Sequence, residues 1–379
     1  MVIEEFQLER WLPTHHAEFN LAGALNHPLK LADVVGKLDL EMEMIYGNTQ
    51  GSPELRRLIS RLFAGVNEEM VLVTTGTAEA NFILMNSLIR EGDEFILFVP
   101  AYLQNVGVVK AIGAEVKYCY LKEDKQYKPD IDDLASVVSN RTRAIHITNP
   151  NNPTGSKFSR KELEAVCNIA DKVGAYVIAD EALRGLEIDG IPIASPVEIY
   201  ERGVATGSVS KLGLSGIRIG WIVGDNKIIE KCWGLKDYTT LSHSGLSEFL
   251  AMEALKEENV KKFQFRAQTI IKDHLKIIET WIEKHRHHIS WVKPVAGNTA
   301  FPKYELDIDS VSFCKDLLEK ESVLLSPGDY FGSPKHFRIR YGCRKETLMH
   351  GLERFDNYLK RVGRGDLIPA DIKTIERRT

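Results

Sequence analysis

Apolar and polar stretches alternate along the chain from Ser52 to Gly224 and predict strands and helices in turn. Short apolar runs such as VLVTT, FILFVP, AIHIT, YVIAD and GVATGS have the length of buried strands. Segments between them, such as TAEANFILMNSLIREGD and SRKELEAVCNIADKVG, carry apolar residues at helical spacing. This alternation indicates an α/β fold with a mostly parallel central sheet covered by helices on both faces.

Residues typical of helix ends support several of these boundaries. Ser52 followed by Pro53 begins one helix, since serine caps a helix and proline suits its first turn. Ser159 with Glu162 forms the pattern of a capping box, and a glycine ends the same segment at position 174. The helix in TAEANFILMNSLIREGD is expected to end at Gly92.

The pattern changes after Gly224, where the chain becomes mainly helical, with one long helix expected from about Val260 to about Lys284. Strand-like segments HISWVKP, NTAFPKYEL and HFRIRYG follow, with helices at SVSFCKDLLEKE and KETLMHGLERFDNYLKRV. The sequence therefore predicts a large domain over residues 46–284. A smaller α+β domain would form from residues 1–45 and 285–379, and the charged tail from Gly363 would be peripheral.

Composition narrows the classes of function. The chain has 379 residues, 44% of them hydrophobic and 27% charged, as in soluble globular proteins. Its formal net charge of −4 gives no support for a nucleic-acid partner. No apolar run approaches the roughly 20 residues that span a bilayer, so we expect no membrane partner.

The cysteines and histidines give no sign of a metal site. Five scattered cysteines without a CxxC pair predict free thiols in a reducing compartment, and the acidic start lacks the features of a secretory signal. We therefore expect a cytoplasmic protein. The stretch EKHRHH from Glu283 to His288 is interpreted as a polar turn, and no bound metal is predicted.

Candidate binding residues follow the predicted strands, and ligands of α/β sheets bind at the carboxyl ends of strands. Thr77 and Ala78 open a helix after VLVTT, where backbone N–H groups suit a phosphate, although a plain tight turn is equally compatible. Tyr102 follows FILFVP and offers a flat surface for a ring. Asn152 lies in the rigid loop NPNNPTG, and Asp180 ends the strand YVIAD.

Lys211 is the most informative residue, in the segment GVATGSVSKLGLSGIRIGWIVG. Burial between two apolar strands would lower its pKa and make the amine a nucleophile. Ser208, Ser210 and Arg218 around it suit a phosphate. A nucleophilic lysine, a phosphate site, a stacking ring and a strand-end carboxylate together suit pyridoxal 5'-phosphate, whose ring nitrogen the carboxylate keeps protonated.

Several motifs resemble those of the class I/II aminotransferases, which have the fold-type I pyridoxal-phosphate transferase fold. SVSKLGLSGIRIGW is similar to the lysine motif of that family, and NPNNPTG and YGNTQGSPELR resemble two further motifs. The likeness covers nearly the whole chain in the right order. It implies an aminotransferase that moves an amino group from an L-amino acid to a 2-oxo acid through a Schiff base on Lys211. It also implies a homodimer with shared active sites.

The resemblance assigns roles to individual residues. Lys211 would be catalytic, binding the cofactor covalently and then moving the substrate Cα proton. Arg338 would bind the substrate α-carboxylate, and Arg340 is the less favoured candidate for this role. Tyr46 would reach the cofactor from the partner subunit. The remaining cofactor-binding and substrate-binding residues, in chain order, are Gly23, Thr77, Ala78, Tyr102, Asn152, Asp180, Ser208 and Arg218.

Leu183 departs from the family pattern, in which D-x-x-Y places a tyrosine hydroxyl on the phenolic oxygen of the cofactor. This loss, with the unusual segment EFNLAGALN, leaves open a lyase or a cyclase of the capreomycidine-synthase type. A non-catalytic regulator is disfavoured because no helix-turn-helix precedes the domain. The donor side chain stays open, because an acidic donor needs a second cation and Arg184 is only a candidate for it.

Overall fold

The computed structural model describes residues 2–362, and the elements below belong to that part of the chain. The helices are α1 (Gln7–Thr14), α2 (Leu31–Val34), α3 (Pro53–Ser60), α4 (Thr77–Leu88), α5 (Gln104–Ile112), α6 (Ile131–Val137), α7 (Arg160–Val173), α8 (Asn226–Lys236), α9 (Gly245–Leu255), α10 (Glu257–Lys284), α11 (Ser310–Glu321) and α12 (Lys345–Val362). The strands are β1 (Phe19–Asn20), β2 (Val71–Thr74), β3 (Glu94–Val99), β4 (Glu115–Tyr120), β5 (Thr142–Thr148), β6 (Tyr176–Asp180), β7 (Gly203–Ser208), β8 (Gly220–Val223), β9 (Ile289–Ser290), β10 (Thr299–Ala300), β11 (Lys303–Tyr304), β12 (Val323–Leu324), β13 (Ser326–Pro327) and β14 (Phe337–Arg340).

The central sheet has seven strands in the order β2-β8-β7-β6-β5-β3-β4. β8 runs antiparallel to both of its neighbours, and the other neighbouring pairs are parallel. The predicted α/β fold with a mostly parallel sheet is therefore confirmed. Because parallel strands need crossover connections, the segments between them form the helices that cover the sheet.

Side chains of the sheet alternate between two apolar layers. Phe95 and Leu97 of β3 pack with α4, α5 and α8 on one face. Ile96 and Phe98 of the same strand pack with α6 and α7 on the other face. This alternation of successive residues is the geometry of a strand buried on both sides. It explains why the strands are continuous apolar runs in the sequence.

A separate apolar cluster lies among the chain ends. It contains Trp11 of α1, the buried residues of α11 and α12, and the second half of α10 from Ala267. The strands here are short, with β14 between β10 and β13 in one antiparallel sheet. Phe263 of α10 packs instead with α3 and α9 beside the central sheet. One long helix thus contacts both parts, and the division into residues 46–284 and the two chain ends stays a prediction.

Some element boundaries differ from the expectation. α4 ends at Leu88 rather than at Gly92, because Ile89 already has the extended φ and ψ of −87° and 145°. α10 begins at Glu257, a few residues before the predicted start. α7 agrees with its prediction, since Ser159 accepts from the backbone N–H of Glu162 and the left-handed Gly174 follows the last turn. The predicted peripheral tail lies outside the described residues.

The five cysteines are all buried and unpaired, as predicted. Within residues 2–362, no helix combines the length and the apolar character that crossing a membrane requires. In the same part of the chain, no three histidine, cysteine or carboxylate side chains come together as metal ligands would. His285 of the EKHRHH stretch instead forms a 2.6 Å contact between its Nε2 and a carboxylate oxygen of Asp356.

Candidate active site

A cavity of about 310 Å³ lies at the carboxyl ends of the sheet strands and is bounded by α1, α4 and β14. Ten of the eleven predicted site residues line it, from elements far apart in the chain. Those ten are Gly23, Thr77, Ala78, Tyr102, Asn152, Asp180, Ser208, Lys211, Arg218 and Arg338. Tyr46 is the exception, with a side chain that is 82% exposed and outside the cavity of its own chain.

Lys211 lies on a short 3₁₀ turn directly after β7, which brings its amine into the cavity. Burial, together with the positive charge of Arg338, lowers the pKa of Lys211 to about 8. A larger fraction of the amine is therefore neutral near pH 8 than for an exposed lysine, and only the neutral amine is a nucleophile. The backbone carbonyl of Lys211 accepts a 2.5 Å hydrogen bond from Asn26 Nδ2, which fixes the turn.

Asp180 ends β6 and is held by two hydrogen bonds. Its Oδ2 accepts from Asn81 Nδ2 at 3.0 Å, and its Oδ1 accepts from the backbone N–H of Ala182 at 3.0 Å. Asn81 in turn accepts from Thr206 Oγ1 at 2.9 Å. Burial raises the pKa of Asp180, because it disfavours the charged carboxylate. A cationic ligand group beside Asp180 would stabilise the charged form.

Sequence reasoning missed Asn81, although a signal existed. Asn81 follows Thr77 by four residues on α4, so both side chains lie on the same helix face. The helix that opens at the predicted phosphate turn therefore also presents the amide that orients Asp180.

The turn between β2 and α4 is tightly packed around a polar pocket. Gly76 has φ of +82°, and Thr77 begins the helix. Among the described residues, the buried Thr77 Oγ1 has no hydrogen-bond partner. Arg218 packs its guanidinium against Gly76, with Ser208 lining the same cavity. A helix N-terminus, an unpaired hydroxyl and a guanidinium together suit a phosphate.

Arg338 is 2% exposed and fixed by its neighbours. Its Nη1 donates to Asn152 Oδ1 at 3.0 Å, and its Nε and Nη2 donate to the carbonyl of Ala22 at 3.1 and 2.6 Å. Arg340 is absent from the cavity lining, and its Nη2 donates to the carbonyl of Asn20 at 2.5 Å. Arg338 therefore lines the cavity with the other predicted site residues, whereas Arg340 lies behind that lining, with its Nη1 3.7 Å from a Cβ built on Gly23.

Tyr102 forms a hydrogen bond with a residue that was not predicted to belong to the site. Its hydroxyl donates to Oε1 of Glu9 at 2.9 Å, across a separation of 93 positions. Glu9 lies on α1 and lines the cavity. Burial and the carboxylate of Glu9 raise the pKa of Tyr102 well above its ordinary value. No local pattern in the sequence connects these two residues, so only the fold reveals the contact.

Leu183 and Arg184, whose roles the sequence left open, lie on different sides of the cavity wall. Leu183 lines the cavity and is 3% exposed. Arg184 lies outside the lining, where its Nε donates to Glu181 Oε2 at 2.7 Å and its guanidinium lies over the ring of Phe63. Glu181, which had no expected role, thus forms a buried ion pair, and Arg184 is engaged away from the cavity.

These residues fit pyridoxal 5'-phosphate. The unpaired Thr77 hydroxyl and Arg218 match its phosphate, and the buried Asp180 matches a protonated ring nitrogen. The amine of Lys211 matches its aldehyde carbon, since lysine amines form Schiff bases with this cofactor.

Comparisons with known proteins agree with this fit. The family model described as aminotransferase class I and II matches residues 25–355. The capreomycidine synthase of Streptomyces vinaceus is 28% identical over 369 residues, which cover 94% of each chain. The aspartate aminotransferase of Thermotoga maritima is 26% identical over 328 residues, covering 84% of each.

Solved structures show the same fold. A PLP-dependent aminotransferase from Streptococcus suis is 32% identical with a TM-score of 0.89, covering 95% of this chain and 99% of the other. The PLP-dependent cyclase OrfR is 26% identical with a TM-score of 0.88, covering 96% and 98%. The chain therefore belongs to the class I and II aminotransferase family and is a pyridoxal-phosphate-dependent transferase.

Proposed function

We propose that this protein moves the amino group of an L-amino acid to a 2-oxo acid, with Lys211 as the residue that binds the cofactor covalently. The observation that carries the proposal is the shared cavity of Lys211, Asp180 and Arg338. The amine of Lys211 has a pKa lowered to about 8, and the other two side chains are buried charges aimed at the same space. A nucleophile, an anion and a cation in one cavity are what an amino-acid substrate and its cofactor require.

Each residue then has a distinct task. Bound pyridoxal phosphate supplies an electron-poor ring that stabilises negative charge at the substrate Cα. Asp180, oriented by Asn81, keeps the ring nitrogen protonated. Arg338 binds the substrate α-carboxylate with its planar donors. The neutral amine of Lys211 would take the proton from the substrate Cα, because its pKa of about 8 suits a general base near neutral pH.

The phosphate and the faces of the ring are held by the other lining residues. Thr77, Ala78, Ser208 and Arg218, which line the cavity, would hold the phosphate. Tyr102 would stack on the ring, and Asn152 would donate its amide to the phenolic oxygen. Gly23 leaves room for the substrate beside Arg338. These assignments follow from the resemblance to the family and are supported by the cavity that the residues share.

We further propose a homodimer in which Tyr46 reaches the phosphate of the partner subunit. Leu40, Met44, Ile45 and Tyr46 are 85%, 81%, 72% and 82% exposed, which is unusual for apolar side chains on a monomer. A second copy would cover them. The large domain of residues 46–284 and the smaller domain of both chain ends would then enclose the cavity between them. Free, buried thiols support a cytoplasmic location.

A lyase or a cyclase is the second candidate function. Leu183 offers no hydroxyl to the phenolic oxygen of the cofactor, which departs from the family pattern. Two relatives with high coverage are named capreomycidine synthase and PLP-dependent cyclase. A lyase or a cyclase would use the same cofactor and remove the same Cα proton as an aminotransferase. These reactions differ from transamination in the group that leaves the substrate.

One experiment separates the candidates. The purified protein with bound cofactor is mixed with single amino acids, without a 2-oxo acid, and its absorbance and products are followed. Conversion of the cofactor to its amino form with release of a 2-oxo acid indicates transamination. Product release with the starting absorbance regained indicates a lyase or a cyclase. An unchanged spectrum with every amino acid would contradict both reactions and favour a regulator.

A further inference from the structure

Five charged side chains line the cavity in the described part of the chain: Glu9, Asp180, Lys211, Arg218 and Arg338. The proposed function gives a partner to four of them, namely the ring nitrogen, the aldehyde carbon, the phosphate and the substrate α-carboxylate. Glu9 alone is left without one. If the proposed function holds, Glu9 is left to contact the side chain of the substrate.

Glu9 is held in place at the cavity wall. Its helix α1 buries Leu8 against Phe301 and Phe331, and Trp11 Nε1 donates to the carbonyl of Leu325 at 2.8 Å. These contacts of Leu8 and Trp11 fix the position of α1, and Glu9 on the same helix lines the cavity.

The carboxylate of Glu9 has one occupied oxygen and one available oxygen. Oε1 accepts from Tyr102, and within residues 2–362 no hydrogen bond to Oε2 is present. The negative charge of Glu9 acts to raise the pKa of both Lys211 and Arg338, two cations that line the same cavity. A ligand in the cavity therefore meets an anion on the α1 side and a cation at β14.

No described cation other than those assigned above lines the cavity to receive a second substrate carboxylate. Arg184 is paired with Glu181, and Arg340 is hydrogen-bonded to the carbonyl of Asn20 outside the lining. A dicarboxylate held by Arg338 would face the carboxylate of Glu9 with its own side chain. Like charges so placed disfavour that substrate, whereas a cationic side chain gains a partner.

We propose that Glu9 selects amino donors whose side chain ends in a cation, a guanidinium above all. A guanidinium presents parallel donors to the carboxylate, and such charge-assisted hydrogen bonds are stronger than neutral ones. Arg338 holds the α-carboxylate at one end of the donor, and Glu9 holds the side chain at the other. Leu12 and Leu183, which also line the cavity, suit the aliphatic stem between the two charged ends.

The test measures binding to the protein with bound cofactor in the absence of a 2-oxo acid. L-arginine, its neutral isostere L-citrulline and L-aspartate are titrated separately, and the change in cofactor absorbance gives each dissociation constant. L-arginine is expected to bind at least about tenfold more tightly than L-citrulline. A difference of this size corresponds to one hydrogen bond between charged groups. L-aspartate is expected to bind most weakly.

Two matched variants test whether Glu9 causes the preference for L-arginine over L-citrulline. Glu9→Gln keeps an oxygen for the Tyr102 hydroxyl and removes the charge, so the ratio of arginine to citrulline affinity should fall to near one. Glu5→Gln is the control, because Glu5 is exposed as Glu9 is, but it contacts Arg10 at 4.0 Å and does not line the cavity. It should leave the ratio unchanged. The thermal unfolding midpoint should match the wild type in both variants.

The inference is overturned if L-aspartate binds more tightly than L-arginine, which would show a second cation supplied by the partner subunit. It is equally overturned if Glu9→Gln leaves the arginine preference intact. In either case conversion of the cofactor by any amino acid would still support the proposed function. An unchanged spectrum with all donors would instead contradict the proposed function and the inference together.

Discussion

Lys211 illustrates how burial sets the chemistry of a single residue. Its pKa is lowered to about 8, chiefly because burial disfavours the charged form. Below that pH most of the amine is protonated and unreactive, and above it most is neutral.

The sign of this shift gives a pH dependence. The protein freed of its cofactor should recombine with pyridoxal phosphate faster as pH rises, with a midpoint near 8 rather than near the 10.5 of an ordinary lysine. Stopped-flow absorbance measures the rate. Borohydride reduction and peptide mapping provide the control, since label should appear on Lys211 and not on Lys236, the second lysine with a lowered pKa. A rate that keeps rising to pH 10 would contradict the prediction.

Leu183 carries a second prediction. Introducing a hydroxyl by Leu183→Tyr should lower the pH at which the absorbance of the bound cofactor changes. One hydrogen bond to a charged oxygen contributes about 1.5–3 kcal/mol, or about one to two pH units. A pH titration of absorbance measures the shift.

The matched control is Leu183→Phe, which adds a ring without the hydroxyl. Leu183 is 3% exposed and lies beside Gly297, so both variants place an aromatic ring in the same surroundings and differ in the hydroxyl. The phenylalanine variant should therefore leave the titration at the wild-type pH. Coincident curves for the tyrosine variant and the wild type would show that the missing hydroxyl does not set the pH at which the cofactor absorbance changes.

The sequence was informative where function leaves a local pattern. Asp180 ends one apolar strand and Lys211 closely follows another, so their position at the carboxyl edge of the sheet could be predicted. Asn81 could also have been predicted, because its spacing from Thr77 places both residues on one helix face. Glu9 was not, since its contact with Tyr102 spans 93 positions and depends on how α1 packs on the rest of the chain.

Among the elements, β8 lies directly against the turn between β2 and α4, where the phosphate is proposed to bind. A Cβ built on Gly220 would lie 2.5 Å from the carbonyl carbon of Gly76 and 2.7 Å from the backbone nitrogen of Thr77. These distances are too short for any side chain. The turn that opens α4 therefore packs directly on the backbone of a neighbouring strand.

Gly220→Ala should push this turn away and weaken cofactor binding. Overpacking of this kind costs about 1–3 kcal/mol, so the dissociation constant for pyridoxal phosphate should rise by about fivefold to a hundredfold. Equilibrium titration of absorbance measures it. Gly216→Ala is the control, because a Cβ there has no atom within 4 Å. Equal affinities for the two variants would show that the contact does not position the turn.

Element types were predicted more securely than their ends. Long amphipathic segments such as α7 and α12 were predicted within a residue or two, because capping residues and apolar spacing agree. The predicted end of α4 was wrong, since Gly92 is a plausible terminator and the helix ends at Leu88, four residues earlier. β9 to β11 have only two residues each, too few to show a period.

At the scale of the whole molecule, the proposed dimer makes a prediction about mixed subunits. Tyr46→Ala and Lys211→Ala should each abolish or strongly reduce activity as separate proteins. When the two are unfolded together and refolded, a hybrid dimer has one site with an intact Lys211 and an intact Tyr46 from the partner. Activity should therefore reappear in the mixture.

Refolding each variant alone is the control, and size-exclusion chromatography with light scattering reports the oligomeric state. A monomer in solution, or a mixture no more active than its components, would contradict the sharing of Tyr46 between subunits. The test is independent of substrate identity, because any amino acid that converts the wild-type cofactor can be used.

The pairing of β2 with β8 has a consequence for synthesis of the chain. β2 occupies an edge of the central sheet, and in the described structure its strand partner begins only at Gly220, about 150 residues later. A nascent chain therefore exposes the edge of β2 until nearly three-fifths of the protein has left the ribosome, and contacts so distant in sequence form slowly. Since the phosphate turn follows β2 and Lys211 follows β7, cofactor present during synthesis should trap the completed sheet and raise the yield of folded protein.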